Sequence, residues 1–293
     1  MRRRHPILRG MFLVALAVTA LIGVVAVLSF VGGDRPLFGK TVAVVELRGV
    51  IQDASETVET LDRLRHQDGT VAVVLRVDSP GGAVAPSQEI YDEIWRLREQ
   101  KPVVASLGSV AASGGYYVAS AANRILADPG TITGSIGAIM AVPYYAPLAD
   151  KVGFSEEKVK SGRFKDTGDP LRRLNPDERA LLQGMVDDVL GQFVDAVARG
   201  RKMPAARVRA LADGRIYSGS QALAAGLVDQ LGGLQDATRV AWQDAGQSGE
   251  PRVQRLRARR LPWILQLLGD TFADVAPETR GGLFFLYRGP HPE

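Results

Sequence analysis

Cysteine is absent from these 293 residues, which excludes a disulfide framework, a cysteine nucleophile and any thiolate metal site. Histidine is nearly as scarce. Of the three, His5 precedes an apolar run and His291 is third from the end, so only His66 lies inside the body of the chain. A His-rich metal centre is therefore not available, and a Ser-His-Asp triad would have to use His66. That residue sits in RLRHQDG, a polar helix end before a strand, and reads as solvated. Lysine is rare beside arginine, seven against 29. Charge of one sign is also in short supply: the net charge is +4, and the basic excess gathers at the ends, in Arg2, Arg3, Arg4 and Arg9 and again from Arg252 to Arg260. The balanced middle argues against a nucleic-acid footprint.

One long apolar run is present. Met11–Val31 holds 21 residues without a charge, and a bilayer core needs about 20 in a helix. The apolar core of a cleaved signal peptide is shorter, roughly 7–15 residues. The only small-x-small candidate, Val18-Thr19-Ala20, falls in mid-run, so the run reads as an uncleaved transmembrane anchor. Arginines precede it and Asp34 follows it, which leaves residues 1–10 cytoplasmic and exports the rest. Residues 32–40 read as a linker, 41–250 as the folded domain, and 251–293 as a basic and apolar tail.

From Lys40 onward, short Val-rich runs alternate with helical spacing. Thr41–Leu47, Val71–Val77, Pro102–Leu107 and Arg124–Ala127 read as buried strands. Glu56–His66 and Pro86–Gln100 have apolar residues at helical intervals. This alternation predicts an α/β fold with a parallel sheet. Beyond Pro176 the pattern is mostly helical, with Pro176–Lys202 a long amphipathic candidate followed by Pro204–Ala212 and Ser220–Ala225. Two apolar patches, Leu261–Leu268 and Leu283–Tyr287, read first as a contact between subunits, with core or a membrane surface as the alternatives.

Three loops could carry chemistry. Asp78-Ser79-Pro80-Gly81-Gly82 follows a strand, and its adjacent glycines let backbone N–H groups approach a ligand, although such a stretch alone is commonly just a turn. Ser113-Gly114-Gly115 follows another strand at a helix start. Ser113 can be a simple N-cap; as a nucleophile it would gain from the helix dipole and from the Gly114 N–H, which can bind an oxyanion. The third is Lys160–Asp166. Arginine cannot act as a base in a protein whereas a buried lysine can, yet Lys158 and Lys160 lie too close to Lys165 for scarcity to choose among them. With the histidines discounted, a Ser-Lys dyad is the remaining serine chemistry. Its lysine would need a pKa lowered from about 10.4 toward roughly 7–8.

These segments resemble the signal peptide peptidase A family, membrane-anchored serine proteases of the Clp protease/crotonase superfamily. The matching stretches are DSPGG (78–82), GSVAASGGYYVAS (108–120), TGSIG (133–137), KSGRFKD (160–166), MVDDVLGQFVDAVARGRKM (185–203) and DGRIYSGSQALAAGLVDQLGG (213–233), all within roughly 41–245. The resemblance implies a repeated β-β-α superhelical fold with a parallel sheet behind one N-terminal transmembrane helix. It makes Ser113 the nucleophile, Lys165 its general base and Ser135 the hydroxyl that aims the lysine amine. Gly114 and either Gly81 or Gly82 form the oxyanion hole. No cofactor, metal or nucleic acid is called for.

The same resemblance implies apolar peptides, such as signal-peptide remnants, as substrates at the bacterial inner membrane. It also implies a homo-oligomeric ring, octameric by analogy, in which Ser113 of one subunit meets Lys165 of a neighbour. Three other readings compete: a crotonase-like acyl-thioester hydratase, a related membrane protease that clips intact membrane proteins, and a membrane-anchored scaffold without catalysis. Export argues against the first. The second also uses Ser-Lys chemistry. A scaffold needs neither Ser113, Ser135 nor Lys165.

Overall fold

The computed structural model describes residues 39–256, the single residue Leu16 and, as backbone, Leu283–Leu286. The anchor expected at 11–31 and the patch Leu261–Leu268 lie outside the described residues. No helix among the described residues is long and apolar enough to cross a membrane. The chain divides into Met1–Gly39 and Lys40–Glu293, and the following concerns the second unit.

Its elements run β1 (Thr41–Arg48), α1 (Ser55–Arg65), β2 (Thr70–Ser79), β3 (Gly81–Ala83), α2 (Val84–Arg98), β4 (Val103–Ala112), α3 (Gly114–Ala119), β5 (Arg124–Ala127), β6 (Ile132–Gly134) and β7 (Ile139–Met140). There follow α4 (Ala146–Lys151), α5 (Pro176–Arg201), α6 (Ala205–Leu211), β8 (Ile216–Ser218), α7 (Gly219–Ala225), β9 (Gln230–Leu231), α8 (Leu234–Asp244), β10 (Val253–Leu256) and β11 (Leu283–Leu286). The main sheet has the order β10-β1-β2-β4-β5-β9, all parallel. The fold is mixed α/β with a mostly parallel sheet.

Both faces of that sheet are covered, which is why its strands read as unbroken Val runs. Alternate residues go opposite ways. On β1, Ala43, Val45 and Leu47 join a core with Leu61, Leu64, Ile90, Ile94 and Phe193, while Val42 and Val44 meet Ala237, Ala241 and Trp242 of α8. Each fully buried Val or Leu contributes about 1.5–3 kcal/mol. Helix α5 starts cleanly: Asn175 and Glu178 form a reciprocal capping box, with Pro176 in the first turn.

Strand β4 is long enough to take two partners in succession. Val104–Leu107 pairs with β5, then Val110–Ala112 pairs with β6, which is also held by antiparallel β8. The divergence brings the carboxyl ends of β2, β4 and β6 side by side. A second, smaller sheet runs β3-β11-β7, both pairings antiparallel. Residues Leu283–Leu286, from the patch first read as a subunit contact, thus supply a strand paired within their own chain. Val253–Leu256, in the stretch set apart as tail, lies beside β1 at the sheet edge.

Candidate active site

The three strand ends that β4 brings together each lead into one of the singled-out segments. In open parallel sheets, this carboxyl edge is where ligands bind. Strand β4 ends at Ala112 and β6 at Gly134, paired with each other, so Ser113 and Ser135 leave adjacent strands side by side. The Ser113 N–H donates to the Gly134 carbonyl at 2.8 Å, and the Ser135 N–H donates to the Arg215 carbonyl at 2.9 Å. Thr133 ties the same pair of strands by donating its hydroxyl to the Ala111 carbonyl at 2.6 Å. Both serines are buried, 1% and 8% exposed.

Both also have backbones in an unfavourable region: φ is 52° at Ser113 and 50° at Ser135. With ψ at −119°, Ser113 occupies a conformation that suits glycine, at a cost of about 1–3 kcal/mol. Ser113 does hold the N-cap position of α3, but its side chain makes no capping bond. Among the described residues no group hydrogen-bonds either serine hydroxyl. A strained, buried serine that declines its local capping role is poorly explained by folding alone.

The glycine loop is wedged against the start of α3. A Cβ on Gly115 would lie 2.7 Å from the Ser79 carbonyl oxygen, and one on Gly82 would lie 2.0 Å from the Ile51 carbonyl oxygen, so no side chain fits at either. The Gly81 N–H is already used, donating to Ser79 Oγ at 3.1 Å. On one side β3 is taken by Ile51, whose N–H donates to the Gly81 carbonyl at 2.9 Å and whose carbonyl accepts from the Ala83 N–H at 2.7 Å. An extended strand turns successive residues to opposite sides, so the N–H and C=O of Gly82 face away from Ile51, toward β11.

Lys165 is placed differently. It is exposed, in the loop that leads to α5. Its two rivals are tied down. Lys158 pairs with Asp169 at 2.7 Å, a hydrogen bond that raises its pKa and keeps it charged. Lys160 pairs with Asp166 at 2.6 Å. Among the described residues the Lys165 amine has no hydrogen bond or ion pair, and none joins it to Ser113 or Ser135. Sequence alone could not make this distinction.

The loop itself is firmly anchored. Arg172 bridges Asp166 and Glu178, donating to Glu178 Oε2 at 2.7 Å and to the Asp166 carbonyl at 3.0 Å. The Glu178 side chain is sealed from solvent. Hydrogen bonds from Arg172 and from the Asn175 N–H hold its carboxyl down at about 2. Arg172 was not picked out by sequence reasoning, and one arginine among 29 carried no signal. His66 is solvated as expected, its side chain 64% exposed at the end of α1.

Comparison with known proteins bears on this arrangement. The model of peptidase family S49 matches residues 96–248, and the Clp protease model matches residues 42–128. The Synechocystis sp. protein slr0021, which carries a protease name, is 42% identical over 271 residues, covering 85% of this chain and 96% of its own length. The chloroplastic serine protease SPPA of Arabidopsis thaliana is 36% identical over 233 residues, 78% of this chain and 34% of that protein. Protease 4 of Haemophilus influenzae is 35% identical over 247 residues, 78% of this chain and 40% of that protein. The S49 match spans the β4 edge, α3 and the lysine loop together, and on that ground the chain belongs to peptidase family S49 and is a serine endopeptidase of the SppA type on a Clp protease-like fold.

Proposed function

We propose that Ser113 is the nucleophile of this endopeptidase and Lys165 its base, in a membrane-anchored enzyme that cleaves apolar peptides such as signal-peptide remnants. The observation that carries the reading is Ser113 itself: buried, held at φ 52° and with its hydroxyl free of local bonds. In acylation, Lys165 Nζ takes the Ser113 proton as Oγ bonds to the substrate carbonyl carbon. The oxyanion is held by the N–H groups of Gly114 and of Gly82, since the Gly81 N–H is already donated to Ser79. Collapse breaks the peptide C–N bond, and the leaving amine takes its proton from Lys165. Water then repeats the sequence against the acyl-enzyme. Ser135 accepts from or donates to the lysine amine and aims it.

Lys165 has no partner among the described residues, while Ser113 and Ser135 wait side by side. That division supports a site completed by a neighbouring copy, in a ring whose number we take as eight by analogy. Residues 11–31 anchor it, with the N-terminus cytoplasmic and the catalytic domain outside. The test is hydrolysis of an apolar fluorogenic peptide by the full chain in detergent, beside Ser113→Ala and Lys165→Ala. Activity in wild type and its loss in both assembled variants is expected. Wild-type rates in Ser113→Ala would overturn the assignment.

A further inference from the structure

Strand β8 supplies no group to the proposed chemistry, yet it follows the Ser135 segment residue by residue. Ile132, Thr133 and Gly134 pair with Ser218, Tyr217 and Ile216. The ladder continues beyond the strand: the Ser135 N–H donates to the Arg215 carbonyl at 2.9 Å, and the Gly214 N–H donates to the Ile136 carbonyl at 3.1 Å. Within this stretch Gly134 has φ 77° and Ser135 φ 50°, two left-handed residues in succession. For a residue with a side chain that conformation costs about 1–2 kcal/mol, so Ser135 keeps it only where its surroundings impose it. The Gly134–Ser135 peptide is held at both ends. Its N–H goes to Arg215, and its carbonyl accepts from the Ser113 N–H at 2.8 Å. Tyr217 adds a side chain to that hold. A Cβ on Gly134 would overlap Cδ2 of the Tyr217 ring and lie 3.1 Å from Cε2, so the ring rests directly against the Gly134 α-carbon. The ring is itself fixed, partly buried against the main core, with its hydroxyl donating to the Leu211 carbonyl at 3.4 Å at the end of α6.

We propose that Tyr217 is a positioning residue for Ser135: its ring wedges the Gly134–Ser135 peptide in place, keeps φ at Ser135 positive and so aims the Ser135 hydroxyl. This rests on the role given to Ser135 in the proposed function, where that hydroxyl orients the lysine amine. With the ring removed, Gly134 gains room toward β8 and Ser135 relaxes to a negative φ, which swings its hydroxyl away. Misplacing a group at a reacting centre by about 1 Å can lower turnover about 100-fold. The proposed oxyanion donors, Gly114 and Gly82, lie on other segments, so the change falls on kcat and leaves KM in place.

The test is a double-mutant cycle on peptide hydrolysis by the full chain in detergent. Ser135→Ala is expected to lower kcat about 100–1,000-fold. Tyr217→Ala should lower it about 10–100-fold with KM within about twofold. Tyr217→Phe keeps the ring and should retain kcat within about threefold. The double variant should fall no further than Ser135→Ala alone, because Tyr217 acts through that hydroxyl; a ring that only stabilised the fold would give losses that multiply. Should Tyr217→Ala fail to assemble, Tyr217→Leu, which has no planar ring but more bulk, enters the same cycle. Amide exchange reads the turn without turnover. The Ser135 N–H should exchange about tenfold faster in Tyr217→Ala than in wild type, and at the wild-type rate in Tyr217→Phe. Wild-type kcat in Tyr217→Ala, multiplied losses in the double variant, or unchanged Ser135 exchange overturns the inference. Wild-type kcat in Ser135→Ala removes the role of Ser135 and this inference with it. A loss in Ser135→Ala beside wild-type kcat in Tyr217→Ala leaves that role standing and removes Tyr217 alone.

Discussion

Ser113 and Ser135 leave strands whose neighbours are sealed from water, whereas Lys165 stands on a segment that keeps apolar side chains in solvent. Ala111, Ala112, Tyr116 and Val118 around Ser113 are fully buried. Between β7 and the middle of α5, Leu148 is 63% exposed, Val152 71% and Phe154 55%. The first region is set by one chain's own packing, which is what allows it to hold two strained serines. The second has ion pairs to fix its local shape but no apolar cover of its own. A catalytic group needs placement within a fraction of an ångström, and such precision comes from packed support. The difference is what the proposed shared site rests on: the serine side has its packed support within one chain, and under that proposal the lysine side takes its support from a second copy.

The strongest way to break this comparison is to separate the two sides chemically. Ser113→Ala and Lys165→Ala should each lower peptide hydrolysis on the order of 10³–10⁶-fold, as loss of one member of a catalytic unit does. Mixed before assembly in equal amounts, the two should recover about a quarter of wild-type activity, the fraction of sites with both groups intact if they come from adjacent subunits. No recovery would mean that each chain supplies its own lysine. Lys158→Met and Lys160→Met should cost far less, since both amines are held in ion pairs. In the same series, Ser113→Gly should be inactive yet more stable by about 1 kcal/mol in urea unfolding, because glycine accepts the positive φ without strain.

Much of the serine side was legible beforehand. Strands β1, β2 and β4 are Val-rich because both sheet faces are covered, and Ser113 stands out as a serine between a strand and two glycines. The strain at Ser113 was not legible, since φ is set by the Gly134 carbonyl and by α3 packing on Ser79. The two- and three-residue strands β6 to β9 carry no pattern of their own and exist through their partners. Helix α8 was overlooked although Ala237, Ala241 and Trp242 form a face, because Gly233 brings no capping side chain and Asp236, whose carboxylate accepts from the Gly233 N–H, is the one acidic residue of its first turn. On the lysine side, KSGRFKD offers two lysines and its surroundings a third, and only the ion pairs to Asp166 and Asp169 separate them. The partner of Leu283–Leu286 lies some 200 residues earlier, beyond any local signal.

Acid should sharpen the comparison by loosening one region before the other. The carboxyl of Glu178 has its ordinary value of 4.5 lowered to about 2 by Arg172 and the Asn175 N–H. A lowered folded value means that the stabilisation is complete above 4.5 and is lost as pH falls through about 2. Asp166 is shifted in the same direction by Lys160 and Arg172. Amide exchange in residues 160–180 is therefore expected to rise between pH 4.5 and 2, with β1, β2 and β4 still protected at its onset. Glu178→Gln should bring the loosening to neutral pH and lower activity without changing how the sheet exchanges. Equal exchange in loop and sheet across that range would contradict a separately anchored loop.

The smallest effect is expected where the comparison began, on the exposed apolar residues. Phe154→Ser and Val152→Ser remove side chains that are mostly in water in the single chain, so each should change its unfolding free energy by no more than about 0.5 kcal/mol. If a second copy covers this segment, the same changes should shift the assembly toward smaller species in sedimentation, and activity should fall with protein concentration. Ser113→Ala assembled with Phe154→Ser should then complement Lys165→Ala less well than Ser113→Ala alone does. Unchanged sedimentation, with stability also unchanged, would mean that these apolar side chains serve no contact between copies. The partner of Lys165 would then have to be reached by another face.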